Sequence, residues 1–135
     1  MARITVVGVG PGPTSYLTKE VESEPLRAEK RFFRTGAHPA YEWLRGQSKH
    51  FVSFDKLYDT RWTNPGDIYE FMVAALFKEA ALRCEAVYAV PGSPQRAGGY
   101  DKADSRARSK RVLPGVSFLD QVPAEINFDF SLACR

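Results

Sequence analysis

Three short apolar runs in this 135-residue sequence each end in a corner of glycine and proline. The corners are Gly8-Val9-Gly10-Pro11-Gly12, Pro91-Gly92-Ser93-Pro94 and Pro114-Gly115-Val116-Ser117. Glycine lets a ligand approach the backbone closely, because it has no Cβ. One such loop is no more than a turn. Three of them behind equivalent apolar runs predict a shared pocket, since ligands of an open parallel sheet bind outside the carboxyl ends of its strands. Three ordinary tight turns are the alternative. In the first corner Gly8 and Gly10 fit the dinucleotide fingerprint, but Pro13 stands where its third glycine belongs. Pro11 and Pro13 also lack the N–H groups that cradle a pyrophosphate, and the sequence contains no Gly-Lys-Ser/Thr of a P-loop. A rigid wall against a flat or uncharged ligand is the better fit.

Nucleophilic and metal chemistry find little support. His38 and His50 are the only histidines, and no G-x-S-x-G elbow is present. His38 precedes Pro39 in a turn, where a structural or surface role stands beside catalysis. Asp55 and Asp59, four apart, read as a solvated pair. Cys84 closes an apolar helix as a buried thiol; with Cys134 far away, neither a disulfide framework nor a zinc site is indicated. No catalytic residue is identified.

The elements that must position these corners follow from apolar spacing. Residues 4–7, 31–34, 51–54, 86–90 and 111–113 predict strands. Residues 16–24 predict a helix capped by Thr14 or Ser15 and stopped at Pro25, and 39–45 a short helix with Pro39 in its first turn. Asn64-Pro65-Gly66-Asp67 is a helix start, after which Ile68, Phe71, Met72, Ala75, Leu76 and Ala80 recur at the spacing of one apolar face. Strand, glycine corner and helix in alternation predict an α/β fold with a mainly parallel sheet flanked by helices.

Composition agrees. The chain is 44% hydrophobic and 26% charged, with a formal net charge of +3, as in a globular domain. No apolar run approaches the ~18–20 residues that span a bilayer, and the N-terminus lacks the apolar core of a signal peptide. A cytoplasmic location without membrane contact is expected. Six basic residues (Arg96, Lys102, Arg106, Arg108, Lys110, Arg111) and two acids fall within residues 95–111. With one aromatic and no apolar periodicity, this stretch reads as solvated surface rather than a nucleic-acid footprint.

The corners also carry a resemblance. Val6-Val7-Gly8-Val9-Gly10-Pro11-Gly12, followed by Leu17-Thr18, resembles the opening of the tetrapyrrole methylase family. Four further stretches are similar to the branch fused to MazG-type nucleotide pyrophosphohydrolases. They are Arg34-Thr35 with His38-Pro39, Ser53-Phe54-Asp55 with Leu57-Tyr58, Val87-Tyr88-Ala89-Val90-Pro91-Gly92-Ser93-Pro94, and Leu113-Pro114-Gly115-Val116-Ser117-Phe118-Leu119-Asp120. The resemblance covers residues 3–94 and 111–120. It implies the first lobe of a two-lobed methyltransferase that uses S-adenosylmethionine, held in the cleft between the lobes. Residues 1–120 correspond to that lobe, with an irregular basic segment at 95–110; residues 121–135 form a divergent tail, and the second lobe is absent. A truncated protein, weak or inactive alone, is therefore expected.

By the same resemblance Pro11, Pro91, Gly92, Ser93, Ser117 and Phe118 are the cofactor-binding positions, with Ser93 in place of the family's frequent aspartate. Arg34 lies where some relatives carry an acidic residue proposed as a base. Arginine stays protonated and cannot act so, but it can pair with a carboxylate of the substrate. The implied partners are a small-molecule methyl acceptor, a tetrapyrrole being one candidate, and a second copy of the chain in a homo-oligomer. A non-catalytic interaction or regulatory module is the rival reading.

Overall fold

The computed structural model describes residues 3–47, 50–59, 61, 64–80, 85–95, 109–127 and 129. Its strands are β1 (Arg3–Gly8), β2 (Lys30–Phe33), β3 (Val52–Ser53), β4 (Glu85–Val90) and β5 (Ser109–Leu113). Side chains alternate between the two faces of a strand, and both faces are apolar here. Val7, Val9, Phe33, Val87, Ala89 and Leu113 enter one core cluster, whereas Ile4, Val6, Phe32, Ala86, Tyr88 and Val90 enter the other. Strands apolar on both sides belong in a parallel sheet covered by helices. The sheet has the order β3-β2-β4-β1-β5, and each pairing is parallel.

Helices α1 (Lys19–Arg27) and α2 (Pro39–Gly46) cover the first cluster through Val21, Ala40 and Leu44. Helix α4 (Pro65–Ala80) covers the second through Met72 and Leu76. The one-turn α3 (Asp55–Tyr58) and the final helix α5 (Phe118–Glu125) complete the described elements. No helix among the described residues is long and apolar enough to cross a membrane.

The α/β expectation holds, with local corrections. A single 3-10 turn at Thr14–Tyr16 precedes α1, which starts at Lys19 with Thr18 as its cap: the Val21 amide donates to the Thr18 hydroxyl. Pro25 lies inside α1 rather than ending it. It is tolerated in the last turn because its fixed φ suits a helix, and because the Arg31 guanidinium donates to the Pro25 carbonyl at 2.6 Å, where helical partners run out. Along α4, Phe71 is 52% exposed and Val73 is buried instead. The helix packs over β2 and β4, and Phe71 instead faces a cavity that it lines with Val52 of β3. Strand β5 begins at Ser109, inside the stretch read as irregular. Residues 96–108, which hold most of that basic segment, lie outside the described residues, as do Cys84 and Cys134.

Candidate functional site

The register decides where the corners go. Gly8 stands opposite Val90, and Val7 opposite Leu113, so three parallel strands end level and their loops leave from one edge. They then interlock. The Gly10 amide donates to the Gly92 carbonyl at 3.2 Å, and the Gly92 amide donates to the Gly10 carbonyl at 2.7 Å. Both glycines have positive φ, +79° and +68°, a region costly for other residues. Behind them the backbones nearly touch: a Cβ on Gly8 would lie 2.6 Å from the Gly115 nitrogen and 2.6 Å from the Gly92 oxygen. The convergence predicted from three apolar runs is therefore what the structure contains.

This arrangement limits the ligand. The amides of Val9, Gly10 and Gly92 are all taken up by neighbouring carbonyls, and Pro11, Pro13 and Pro91 have none to offer. A phosphate has no nest of N–H groups in this part of the corner. A flat or uncharged ligand, recognised by shape and by carbonyl acceptors, fits it better.

Pro11, Pro91, Gly92 and Ser93 are all half-buried here, and the Ser93 hydroxyl donates to Gln95 Oε1 at 2.7 Å. Ser117 is buried and caps α5: its Oγ accepts from the Leu119 amide, while Asp120 Oδ2 accepts from the Ser117 amide. That capping box fixes the hydroxyl as an acceptor and leaves its hydrogen to point elsewhere. Phe118 is 58% exposed. All six expected cofactor positions thus lie in or beside the second and third corners or, for Pro11, in the first.

Arg34 follows β2, with its amide on the Ala89 carbonyl at 2.9 Å, which sets it beside the end of β4. Its guanidinium donates to the hydroxyls of Tyr58, at 3.1 Å, and Tyr69, and lies 5.1 Å over the Tyr69 ring. Burial works against its charge, but the Tyr58 hydrogen bond and the surrounding phenols outweigh that and raise its pKa. The arginine is a fixed cation. Tyr58 falls in one of the stretches that carry the resemblance and Tyr69 in none, but neither is marked as a holder of Arg34, because only the packing of α3 and α4 brings them to β2.

Two further groups brace the site, and neither role is apparent from spacing alone. Asp55 is no solvated pair with Asp59. Its Oδ2 accepts from the Gly36 amide at 2.8 Å and from the Ser53 hydroxyl at 2.9 Å. Burial alone would raise its pKa, yet hydrogen bonds from Thr35, Gly36 and Ser53 hold it below the usual carboxylate value. His38 is buried and caps α2: its Nδ1 accepts from the Ala40 amide at 3.1 Å, and its Nε2 lies 3.0 Å from the Gly10 carbonyl. The first contact requires a bare Nδ1, so the proton sits on Nε2 and is donated to Gly10. Burial lowers its pKa. A histidine just before a proline at a helix start is the sequence signal for this cap.

The larger cavity, about 770 Å³, lies away from the corners, between α4 and the sheet edge, where Phe32, Val52, Phe54, Phe71, Ala75 and Lys78 line it. Among the described residues no group of three or more His, Cys, Asp or Glu could hold a metal ion. Arg111, from the basic stretch, pairs with Glu20 and Glu24.

The five-stranded parallel sheet flanked by helices matches, in fold, one lobe of the tetrapyrrole methylases. The uroporphyrin-III C-methyltransferase of Thermus thermophilus superposes with a TM-score of 0.71 at 20% identity, over 96% of this chain and 53% of that enzyme. A structure of that enzyme in complex with S-adenosylhomocysteine also matches. Cobalt precorrin-4 methyltransferase, a cobalamin biosynthetic enzyme, superposes with a TM-score of 0.69 at 15% identity, over 93% of this chain and 50% of its own. In sequence, the uncharacterised protein YabN of Bacillus subtilis strain 168 is 35% identical over 123 residues, 87% of this chain and 25% of YabN. No family model matches. The chain thus spans about half the length of these enzymes and a quarter of YabN.

Proposed function

We propose that this chain is a lobe of an S-adenosylmethionine-dependent methyltransferase of the tetrapyrrole methylase family. The observation that supports the reading is the interlocked corner; in it residues 8–13, 91–94 and 114–118 would form one wall of the cofactor cleft. S-Adenosylmethionine contains no phosphate, which suits a corner whose glycine amides are already engaged. When bound, it supplies an activated methyl on a sulfonium, and transfer is an in-line displacement by the acceptor. The protein's part is orientation, an effect that supplies roughly 7–11 kcal/mol of a barrier. Pro11, Pro91, Gly92, Ser93, Ser117 and Phe118 hold the donor. Arg34, kept cationic by Tyr58 and Tyr69, holds an acidic group of a small-molecule acceptor.

Titration calorimetry with S-adenosylhomocysteine tests this. Saturable heat from the folded chain is expected. No heat at millimolar ligand, from a sample shown to be folded, overturns the reading.

A second reading, a non-catalytic interaction module, is favoured by one feature. Phe118, Val122 and Ile126, spaced four apart along α5, are 58%, 47% and 65% exposed, an apolar stripe of the kind that marks association surfaces. A concentration-dependent dimer that ignores S-adenosylhomocysteine supports this reading over the first. A dimer that also binds it supports a homo-oligomeric methyltransferase.

A further inference from the structure

We infer that His38 is a positioning residue for the cofactor wall, acting through its Nε2–H bond to the Gly10 carbonyl rather than through its helix cap. The inference rests on the proposed cofactor site. The Gly10 carbonyl receives two donors, the Gly92 amide at 2.7 Å and His38 Nε2 at 3.0 Å. Two donors fix the plane of the peptide that joins Gly10 to Pro11, because the peptide group is rigid. Pro11 then has little freedom left, since its ring locks φ. The orientation of the first wall residue is therefore set by a histidine 28 positions along the chain.

The coupling runs both ways. The ring cannot turn to suit Gly10, because the Ala40 amide holds Nδ1 and so selects the tautomer with its proton on Nε2. The start of α2 thus orients the ring, the ring orients the Gly10 carbonyl, and that carbonyl joins the first corner to the second through Gly92. The ring is buried, with 7% of its surface exposed, so water does not compete strongly for either bond.

Two substitutions separate the bonds. His38→Asn places an amide oxygen where Nδ1 stands and keeps the cap, but it is too short to reach Gly10. His38→Gln places an amide N–H near Nε2 and loses the cap. The expected result is that His38→Asn weakens S-adenosylhomocysteine binding about fivefold, the size of one net hydrogen bond, whereas His38→Gln binds within about twofold of wild type. Amide hydrogen exchange gives a readout independent of ligand. His38→Asn should speed exchange at Gly10 and Gly92 while Val87 and Ala89 in β4 keep theirs; His38→Gln should leave Gly10 and Gly92 protected. Loss of affinity in both variants in step with their stability overturns the inference, as does unchanged Gly10 and Gly92 exchange in His38→Asn. If wild type itself fails to bind S-adenosylhomocysteine, the methylase reading falls, and the exchange pattern alone decides whether His38 holds the corner.

Discussion

A methyl group added behind the corner is the sharpest probe of its architecture. A Cβ on Gly8 would meet the Gly115 nitrogen at 2.6 Å, the Gly92 oxygen at 2.6 Å and the Pro94 ring at 2.7 Å. On Gly115 it would meet the Gly92 oxygen, with the Gly8 carbonyl carbon and oxygen at 2.6 Å. These neighbours are backbone or ring atoms and cannot rotate away, so the corners must move apart. Overpacking of that kind costs about 1–3 kcal/mol, or roughly 4 °C of melting temperature per kcal/mol for a domain of this size. Gly92→Ala meets nothing within 4 Å, but its φ of +68° makes any side chain pay a strain of about 1–2 kcal/mol. Gly12→Ala, with open space around it, should be neutral. Gly46→Ala, at the end of α2 with no contact within 4 Å, should stabilise by up to ~1 kcal/mol through helix propensity. Urea denaturation of the five variants gives the order directly. Gly8→Ala and Gly115→Ala unfolding at the wild-type midpoint would refute the interlocked corner and remove the wall on which the cofactor assignment stands.

Two titrations test the groups that brace the site. The His38 pKa is lowered from its ordinary 6.5 by burial, so the unfolded chain takes up the proton more readily. Its contribution is complete above about pH 6.5 and is lost as pH falls from there through the folded value; denaturation midpoints at pH 7.5 and 5 should differ in wild type and differ less in His38→Asn. The Asp55 pKa is also lowered, from 3.8, which places its stabilisation above that pH and its loss as pH falls through the folded value. Asp55→Asn, which cannot accept from Thr35, Gly36 and Ser53 together, should cost about 1–3 kcal/mol at neutral pH and flatten the acid limb of the stability curve.

The sequence carries the frame of this fold because β-branched runs that end in glycine and proline state both strand type and strand end. Ala86 to Val90 has no polar side, which requires cover on both faces; three such ends require one edge. Where side chains rather than backbone decide, the sequence is less informative. Pro25 ends a helix by general rule, yet the turn closes past it through the Ala28 amide and the Glu24 carbonyl, and Arg31, six residues on, takes up the Pro25 carbonyl. Phe71 fits the apolar spacing of α4, yet it faces an open cavity beside β3 rather than the core. Asp55 looks like a surface acid until Gly36 and Ser53 are folded onto it. The motif positions of the candidate site are local and legible. The supporting contacts of His38 with Gly10, Asp55 with Gly36, and Tyr58 and Tyr69 with Arg34 are long-range and are not.

That division explains how a corner without catalytic side chains can still be specific. Its recognition surface is backbone, whose groups are identical at every residue, so selectivity must come from which amides are removed and which carbonyls are aimed. The prolines remove donors; the Gly10–Gly92 pair uses up others; His38 aims a carbonyl. Arg34 stands apart from this scheme, beside β4 on the α4 face, whereas His38 approaches from α2 on the opposite face. A fixed cation and a donor-poor corner therefore flank the carboxyl end of β4 from its two faces. On the proposed methyltransferase reading, an acidic acceptor would be drawn to the cation and would find few amides in the corner, which would keep donor and acceptor in their own places.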